Sequence, residues 1–120
     1  MKKVLILEDE EILGSIYTKK LEQSGFIVCW VKSLKDLKEN VKHNNFDIIV
    51  LDNGLKNEEQ SGLDIVSEMR KFFPHSYILM LSNYSQRQFR EAAIREGANE
   101  YLVKMNTSPK VLVQFLKNIQ

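Results

Sequence analysis

Short apolar runs alternate with amphipathic segments along the whole chain. The runs are rich in Val, Ile and Leu and are bounded by polar or glycine residues, a pattern typical of strands. They cover residues 4–7, 26–31, 48–51, 77–81 and 100–103. Because the central runs lack a polar face, they predict strands that are buried on both sides, as in a parallel sheet.

Between these runs, apolar residues recur at helical spacing and predict five helices. A serine stands at the expected start of four helices, at Ser33, Ser61, Ser85 and Ser108. Pro109 suits the first position of the last helix, and Gly25 and Gly97 are expected to end the first and fourth. The predicted apolar stripe of the first helix comprises Ile12, Leu13, Ile16, Tyr17 and Leu21. Regular alternation of strands and helices predicts one three-layer α/β domain over residues 1–120.

The composition is that of an ordinary soluble domain. Of the 120 residues, 43% are hydrophobic and 28% are charged, and the net charge is +1. We therefore expect no direct binding of nucleic acid and no association with a membrane. Cys29 is the single cysteine and lies in an apolar segment, which favours a reduced, packed thiol over a disulfide. These features predict a cytoplasmic domain.

Side chains that can carry chemistry follow four of the predicted strands. Glu8 and Asp9 follow the first, Asp52 the third, Ser82 the fourth and Lys104 the fifth. Since the carboxyl ends of parallel strands meet at one edge of a sheet, these groups should lie together. Close carboxylates repel one another by roughly 4 kcal/mol per pair at an intermediate dielectric, and a cation such as Mg²⁺ removes that repulsion. With a hydroxyl and an ammonium to bind phosphoryl oxygens, the group predicts phosphoryl transfer onto Asp52.

Four motifs in this order resemble those of a response-regulator receiver domain. They are residues 7–10 (Leu-Glu-Asp-Glu), 49–52 (Ile-Val-Leu-Asp), 80–82 (Met-Leu-Ser) and 97–104 (Gly-Ala-Asn-Glu-Tyr-Leu-Val-Lys). The resemblance covers the chain from end to end. It implies a flavodoxin-like fold, a five-stranded parallel sheet with strand order 2-1-3-4-5 between two layers of helices.

The resemblance also implies a role for each residue of the site. Asp52 would accept a phosphoryl group from a phosphohistidine on a sensor histidine kinase or a histidine phosphotransfer protein. Lys104 would pair with the phosphoryl group, Ser82 would turn inward to hydrogen-bond it, and Tyr101 would be the switch aromatic. The implied Mg²⁺ ligands are Glu8, Asp9, Asp52 and the backbone carbonyl of Gly54.

The chain departs from the family pattern at three positions. Met105 follows Lys104, where receivers usually have a proline joined by a cis bond. A cis bond costs about 2.5–4 kcal/mol without proline and about 0.5–1 kcal/mol with it, which disfavours the cis form here, and the sequence leaves the choice between cis and trans open. Lys56 stands in the loop after Asp52 where proline is common, and Asn83 follows Ser82 where a small residue is usual. We expect these changes to alter kinetics and to leave the catalytic groups in place.

A partner face is predicted beside the last strand. Ile94 lies off the apolar stripe of the fourth helix, and Val113 lies off that of the last helix. Domains that resemble receivers commonly use the face of the fourth helix, fifth strand and fifth helix for signalling contacts. Ile94 and Val113 therefore indicate a partner surface there, with a homodimer as one possible use.

The sequence thus predicts a phosphorylation-dependent signalling switch that assists its own phosphorylation and dephosphorylation and is not a metabolic enzyme. One alternative is a degenerate receiver that acts through phosphate-independent protein contacts. A less favoured alternative is an Mg²⁺-dependent phosphohydrolase with an aspartyl nucleophile. Enzymes of this kind that resemble haloacid dehalogenases place the nucleophile after the first strand and usually add a cap domain. A flavin-binding module is disfavoured because the acids at 8–11 would repel phosphate.

Overall fold

The structure is a computed structural model that describes residues 1–52 and 61–119. Its centre is a parallel sheet with strand order β2-β1-β3-β4-β5. The strands are β1 (Lys3–Leu7), β2 (Ile27–Val31), β3 (Ile48–Asp52), β4 (Tyr77–Ser82) and β5 (Glu100–Val103). This order is the one that the resemblance implied, so the predicted fold class is confirmed.

Five α-helices cover the two faces of the sheet. They are α1 (Glu11–Gln23), α2 (Leu34–Val41), α3 (Gly62–Phe72), α4 (Arg87–Glu96) and α5 (Pro109–Lys117), with a 3₁₀ turn at Lys104–Asn106 before the last. Helices α1 and α5 pack on one face, and α2, α3 and α4 pack on the other. Among the described residues, no helix is both long enough and apolar enough to cross a membrane.

Successive side chains of the central strands enter opposite cores. In β1, Leu5 and Leu7 belong to the core under α2, α3 and α4, whereas Val4 and Ile6 belong to the core under α1 and α5. All four are buried, as expected for a strand that is covered on both faces. The uninterrupted apolar runs of the sequence therefore report the three-layer arrangement correctly.

Three of the four predicted serine caps are confirmed. The hydroxyls of Ser33, Ser61 and Ser108 each accept a hydrogen bond from the backbone N–H three residues later. The cap predicted at Ser85 is wrong, since α4 begins at Arg87 behind Gln86 and has no side-chain cap. In the loop before α4, hydrogen bonds from Tyr84 N to the Ser82 hydroxyl and from the Tyr101 hydroxyl to Tyr84 O outweigh this weak local signal.

The stripe predicted for α1 is partly wrong. Ile12 and Ile16 are 78% and 39% exposed, and the buried face of the helix consists of Gly14, Tyr17 and Leu21. The helix turns its glycine toward the sheet because the indole ring of Trp30 occupies the space above that position. Two large apolar side chains are consequently left in solvent next to the start of the helix.

The Arg70 guanidinium joins α3 to the segments that flank β4 and β5. It donates to the backbone carbonyls of Phe73, Pro74, Ser76 and Gly97 and to the side-chain oxygen of Asn99, at 2.6–3.1 Å. Charged donors make stronger hydrogen bonds than neutral ones, and one arginine here satisfies several acceptors that secondary structure leaves free.

We predict that Arg70→Met destabilises the protein by about 1–3 kcal/mol, because the aliphatic stem remains while several carbonyls lose their donor. The matched control is Arg90→Met, which removes an exposed ion pair with Glu100 and should cost less than about 1 kcal/mol. Urea unfolding of both variants measures the difference. Equal free energies of unfolding for the two variants would contradict the role given to Arg70.

Candidate functional site

The strand register brings the predicted groups to one edge of the sheet. Leu7 pairs with Leu51, so the residues that follow them, Glu8 and Asp52, are neighbours. Asp52 pairs with Leu81, and Ser82 pairs with Val103. Ser82 and Lys104 therefore lie at the same edge, because Ser82 follows Leu81 and Lys104 follows Val103.

The Lys104 ammonium lies between two buried carboxylates. Its Nζ is 2.9 Å from Oε1 of Glu8 and 3.0 Å from Oδ2 of Asp52. Glu8 and Asp52 are 1% and 2% exposed. Asp9 is half-buried, and one carboxylate oxygen from each of the three acids lies within 4.8 Å of the others. The predicted grouping of Glu8, Asp9, Asp52 and Lys104 is thus present.

Burial and crowding shift the ionisation of two of these groups. Burial, followed by contact with the Asp52 carboxylate, raises the pKa of Glu8 to about 7, although Lys104 pulls it downward. Burial lowers the pKa of Lys104, but contacts with Glu8 and Asp52 outweigh it and hold the pKa above its ordinary value. Lys104 therefore stays a cation at neutral pH, and Glu8 is the carboxylate that gains most from additional positive charge.

Three polar atoms of Glu8 are held by hydrogen bonds. Its N–H donates to Val31 O at 3.0 Å, its carbonyl accepts from the indole N–H of Trp30 at 2.9 Å, and its Oε2 accepts from Glu10 N at 3.2 Å. Oε1 is buried and has no hydrogen-bond donor of good geometry among the described residues; its close neighbour is the Lys104 ammonium. This oxygen is therefore held by an ion pair with Lys104.

The donor set fits Mg²⁺. The ion prefers hard oxygen ligands and usually takes one or two carboxylates, completing its shell with water and phosphate. Glu8, Asp9 and Asp52 supply carboxylate oxygens within reach of one ion. The backbone carbonyl of Gly54, also predicted as a ligand, lies outside the described residues.

Ser82 and Tyr101 are connected through the backbone of Tyr84. The Tyr101 hydroxyl donates to Tyr84 O at 2.6 Å, and Tyr84 N donates to the Ser82 hydroxyl at 3.1 Å. Ser82 and Tyr101 are both buried. Two hydrogen bonds through the backbone of Tyr84 thus join Ser82 to Tyr101.

The loop after Lys104 is ordered without a proline. Every peptide bond in the described ranges is trans, including Lys104–Met105. The hydroxyl of the buried Thr107 donates to Val103 O at 2.8 Å, and its backbone N–H donates to Lys104 O at 3.1 Å. The Tyr17 hydroxyl reaches Thr107 O at 3.3 Å. These contacts bracket Lys104 on both sides.

Comparison with known proteins agrees with this geometry. The family model of the response regulator receiver domain matches residues 4–117. The chain belongs to the receiver-domain family. Receiver domains are the regulatory domains of two-component response regulators, which interact with histidine kinases or phosphotransfer proteins and are generally switched by phosphorylation.

The relatives of this receiver include regulators and orphan regulators. The transcriptional regulatory protein CusR of Escherichia coli K12 is 35% identical over 106 residues, covering 85% of this chain and 44% of CusR. The chain spans at most about half the length of the curated relatives that it matches.

Two solved structures share this fold at 26% identity. HP1043, an orphan response regulator of H. pylori, has a TM-score of 0.84 and covers 97% of this chain and 93% of its own. An atypical orphan response regulator, described by a phosphorylation-independent regulatory mechanism, has a TM-score of 0.81 and covers 96% of this chain and 92% of its own.

The structure does not bring the two predicted partner-face residues together. Ile94 is 37% exposed on α4, as expected. Val113 is half-buried against the core under α1 and α5, and it lines a groove of about 230 Å³ with Lys20 and Ser24. Because Val113 faces α1, it belongs to a different surface from Ile94.

Sequence reasoning missed the residues that support the site. Trp30 holds the Glu8 carbonyl, and Tyr17 and Thr107 hold the Lys104 loop. One available signal was Gly14, an isolated glycine inside a helical pattern, which often marks a close packing contact. The hydrogen bonds of Thr107 are made to backbone atoms, so residue types alone carried no sign of them.

We predict that the metal-free protein loses stability as the pH rises through about 7, since the pKa of Glu8 is raised from 4.5 to about 7 in the folded state. The folded state binds this proton more tightly than the unfolded state does, so the contribution is fully present below pH 4.5 and is lost above 7. Glu8→Gln should match the wild type at pH 5 and melt a few degrees higher at about pH 8.5 in a chelator.

Thermal unfolding across this pH range measures the effect, with Glu22→Gln, an exposed acid on α1, as the control. The control should follow the wild-type curve throughout. If the melting temperature of Glu8→Gln changed with pH in parallel with that of the wild type, ionisation of Glu8 would not destabilise the folded protein, and the prediction would be wrong.

Proposed function

We propose that Asp52 is a phosphoacceptor and that its phosphorylation switches the receiver between two states. The observation that carries the proposal is the buried Asp52 carboxylate at the end of β3, 3.0 Å from the Lys104 ammonium and grouped with Glu8 and Asp9. A nucleophile, a cation and a set of metal-binding oxygens are the parts that phosphoryl transfer requires.

The donor in this proposal is a phosphohistidine of a sensor kinase or phosphotransfer protein. A carboxylate oxygen of Asp52 forms a bond to phosphorus as the phosphorus–nitrogen bond breaks, and the histidine nitrogen leaves with the bonding pair and takes a proton. Lys104 moves from the Asp52 carboxylate to an oxygen of the transferred group, where its positive charge offsets the added negative charge. Ser82 donates a hydrogen bond to another of these oxygens.

Glu8, Asp9 and Asp52 would hold Mg²⁺, which supplies neutralisation of charge on the transferring group when bound. The fit rests on the three carboxylate oxygens, which lie within 4.8 Å of one another. The chain's own contribution is to hold these three carboxylates in a small space despite their mutual repulsion.

Switching is proposed to run from Ser82 to Tyr101. In this proposal the Ser82 side chain turns inward to donate to the phosphoryl group, and this movement changes its contact with Tyr84 N. Tyr84 O in turn holds the Tyr101 hydroxyl. Phosphorylation thereby selects one arrangement of the β4–α4 loop and of the surface beside it, a shift of population between two states.

We expect intact mass spectrometry to show one phosphoryl adduct after incubation with acetyl phosphate and Mg²⁺. Asp52→Asn should abolish the adduct, because the amide is not a nucleophile for this transfer, and Asp64→Asn, an exposed acid on α3, should retain it. A chelator in place of Mg²⁺ should suppress the adduct in all variants.

The outcomes of this experiment separate the candidate functions. An adduct that survives Asp52→Asn would place the acceptor elsewhere and sink the proposal. A complete absence of adduct with every donor would favour the second candidate, a receiver that works without phosphate. The likeness to the atypical orphan regulator at a TM-score of 0.81 and Met105 in place of proline favour that candidate.

Among the described residues, exposed apolar side chains mark two surfaces that we assign to partners. The first begins two residues after Glu8, where Ile12 and Ile16 line a groove of about 530 Å³ with Glu10 and Glu11. Its position beside the acidic pocket suits a phosphodonor protein, which must bring its phosphohistidine to Asp52.

The second surface is the predicted partner face of α4, β5 and α5, retained here through the exposed Ile94. This surface suits partners that distinguish the phosphorylated state, because α4 follows the loop that links Ser82 to Tyr101. A homodimer formed on phosphorylation is one such use. Val113 is left out of the test, since a charge on that half-buried side chain would disturb the core.

We predict that charged substitutions at the two surfaces have separate effects, so that each variant is the control for the other. Ile12→Glu with Ile16→Glu should slow phosphotransfer from a cognate protein donor at least roughly tenfold and leave acetyl phosphate labelling unchanged, because an apolar contact contributes about 1.5–3 kcal/mol. Ile94→Glu should leave both labelling reactions unchanged and weaken phosphorylation-dependent association, as measured by light scattering. If Ile94→Glu alone lost phosphotransfer from the protein donor, the phosphodonor would bind the surface with Ile94 and not the surface with Ile12 and Ile16.

A further inference from the structure

The hydrogen bonding of β1 continues one residue beyond the sheet with the help of a side chain. Regular pairing of β1 with β2 ends at Leu7 and Val31, and Glu8 N then donates to Val31 O. The Glu8 carbonyl accepts from the indole N–H of Trp30 at 2.9 Å. A side chain of β2 thus fixes the turn from which Glu8 and Asp9 project.

Gly14 makes room for the indole. A methyl group built at this position would lie 2.2 Å from Cε2 and 2.3 Å from Cζ2 of Trp30, and 2.5 Å from its Nε1. These distances are far below van der Waals contact, so any residue with a Cβ would displace the ring. Glycine inside a helix costs about 1 kcal/mol relative to alanine, and the packing of Trp30 gives this cost a structural reason.

The outer side of the ring is also held. The Lys32 ammonium lies 4.8 Å from the ring centroid, and its Nζ is 2.8 Å from Oε1 of Glu11. These two side chains are largely exposed, so this contact should contribute little. The packing of Trp30 against Gly14 and its hydrogen bond to the Glu8 carbonyl therefore set the position of the ring.

We propose that Trp30, seated on Gly14, is a positioning residue for the magnesium site. By fixing the Glu8 carbonyl it holds the β1–α1 turn in the conformation that presents the Glu8 and Asp9 carboxylates to Asp52. The inference rests on the proposed function, in which these three acids bind Mg²⁺. Partners that orient metal ligands commonly influence metal affinity although they do not touch the ion.

The hydrogen bond from Trp30 to the Glu8 carbonyl and the packing of Trp30 against Gly14 can be removed separately. Trp30→Phe keeps an aromatic ring and removes the N–H donor, whereas Gly14→Ala keeps the donor and pushes the ring away. Each change should weaken Mg²⁺ binding by roughly 3- to 10-fold, the equivalent of one hydrogen bond. The double variant should bind Mg²⁺ no less tightly than the single variant with the lower affinity, because both substitutions remove the same hydrogen bond.

The measurement is a titration of the full chain with MgCl₂, followed by backbone amide chemical shifts, and it requires no phosphoryl donor. Lys32→Met is the matched control, since it changes a neighbour of the same ring and leaves the indole N–H bond in place; its Mg²⁺ dissociation constant should stay within about twofold of the wild type. In the wild type, the indole N–H resonance should also shift on titration.

Thermal unfolding in a chelator distinguishes positioning from a purely structural role. If Trp30 has only a structural role, Trp30→Phe will have a lower melting temperature and an unchanged Mg²⁺ dissociation constant in the folded protein. That result would overturn the inference about Trp30 and leave the proposed function standing. A wild-type protein that shows no Mg²⁺-dependent shifts would overturn the magnesium site together with the inference. Additive weakening in the double variant would also count against the shared role of Trp30 and Gly14.

Discussion

The contact of the Lys104 ammonium with two buried carboxylates is the interaction on which the site depends. Without that cation, Glu8 and Asp52 would place like charges side by side in a region that water does not reach, at a cost of several kcal/mol. Lys104 offsets part of this repulsion, while burial and, after it, contact with Asp52 raise the pKa of Glu8. With Asp9 close by, three carboxylates share this small space with one ammonium group.

The sheet supplies this contact through register. Glu8, Asp52 and Lys104 follow three different strands, and parallel pairing aligns the ends of those strands to within one residue. A slip of one residue in any pair would move the whole apolar set of a strand to the opposite core. Because burial on both faces fixes the register so strongly, the interactions that fold the domain also bring Glu8, Asp52 and Lys104 together.

The grouping of Asp52, Glu8 and Lys104 could be predicted from the sequence because each follows an apolar run whose type and direction are easy to recognise. The exposure of Ile12 and the late start of α4 could not, since each depends on a contact between distant segments. The Trp30 indole decides which side of α1 faces the sheet, and the Tyr101 hydroxyl holds the loop before α4. The local sequence pattern indicates whether a segment is a helix or a strand. Contacts between distant segments decide which side of that element faces the core and where the element begins.

The loop after Lys104 shows how a family feature can be replaced by other contacts. Proline with a cis bond limits the conformations of this loop, and Met105 gives no such restriction. Here Thr107 is hydrogen-bonded to the residues on either side of the turn, through its hydroxyl to Val103 and through its N–H to Lys104, and Tyr17 holds its carbonyl from α1. Three modest hydrogen bonds of about 1 kcal/mol each are comparable to the conformational entropy of one or two residues. The position of Lys104 therefore depends on α1, the same helix whose first turn follows Glu8 and Asp9, so both halves of the site are fixed to one element.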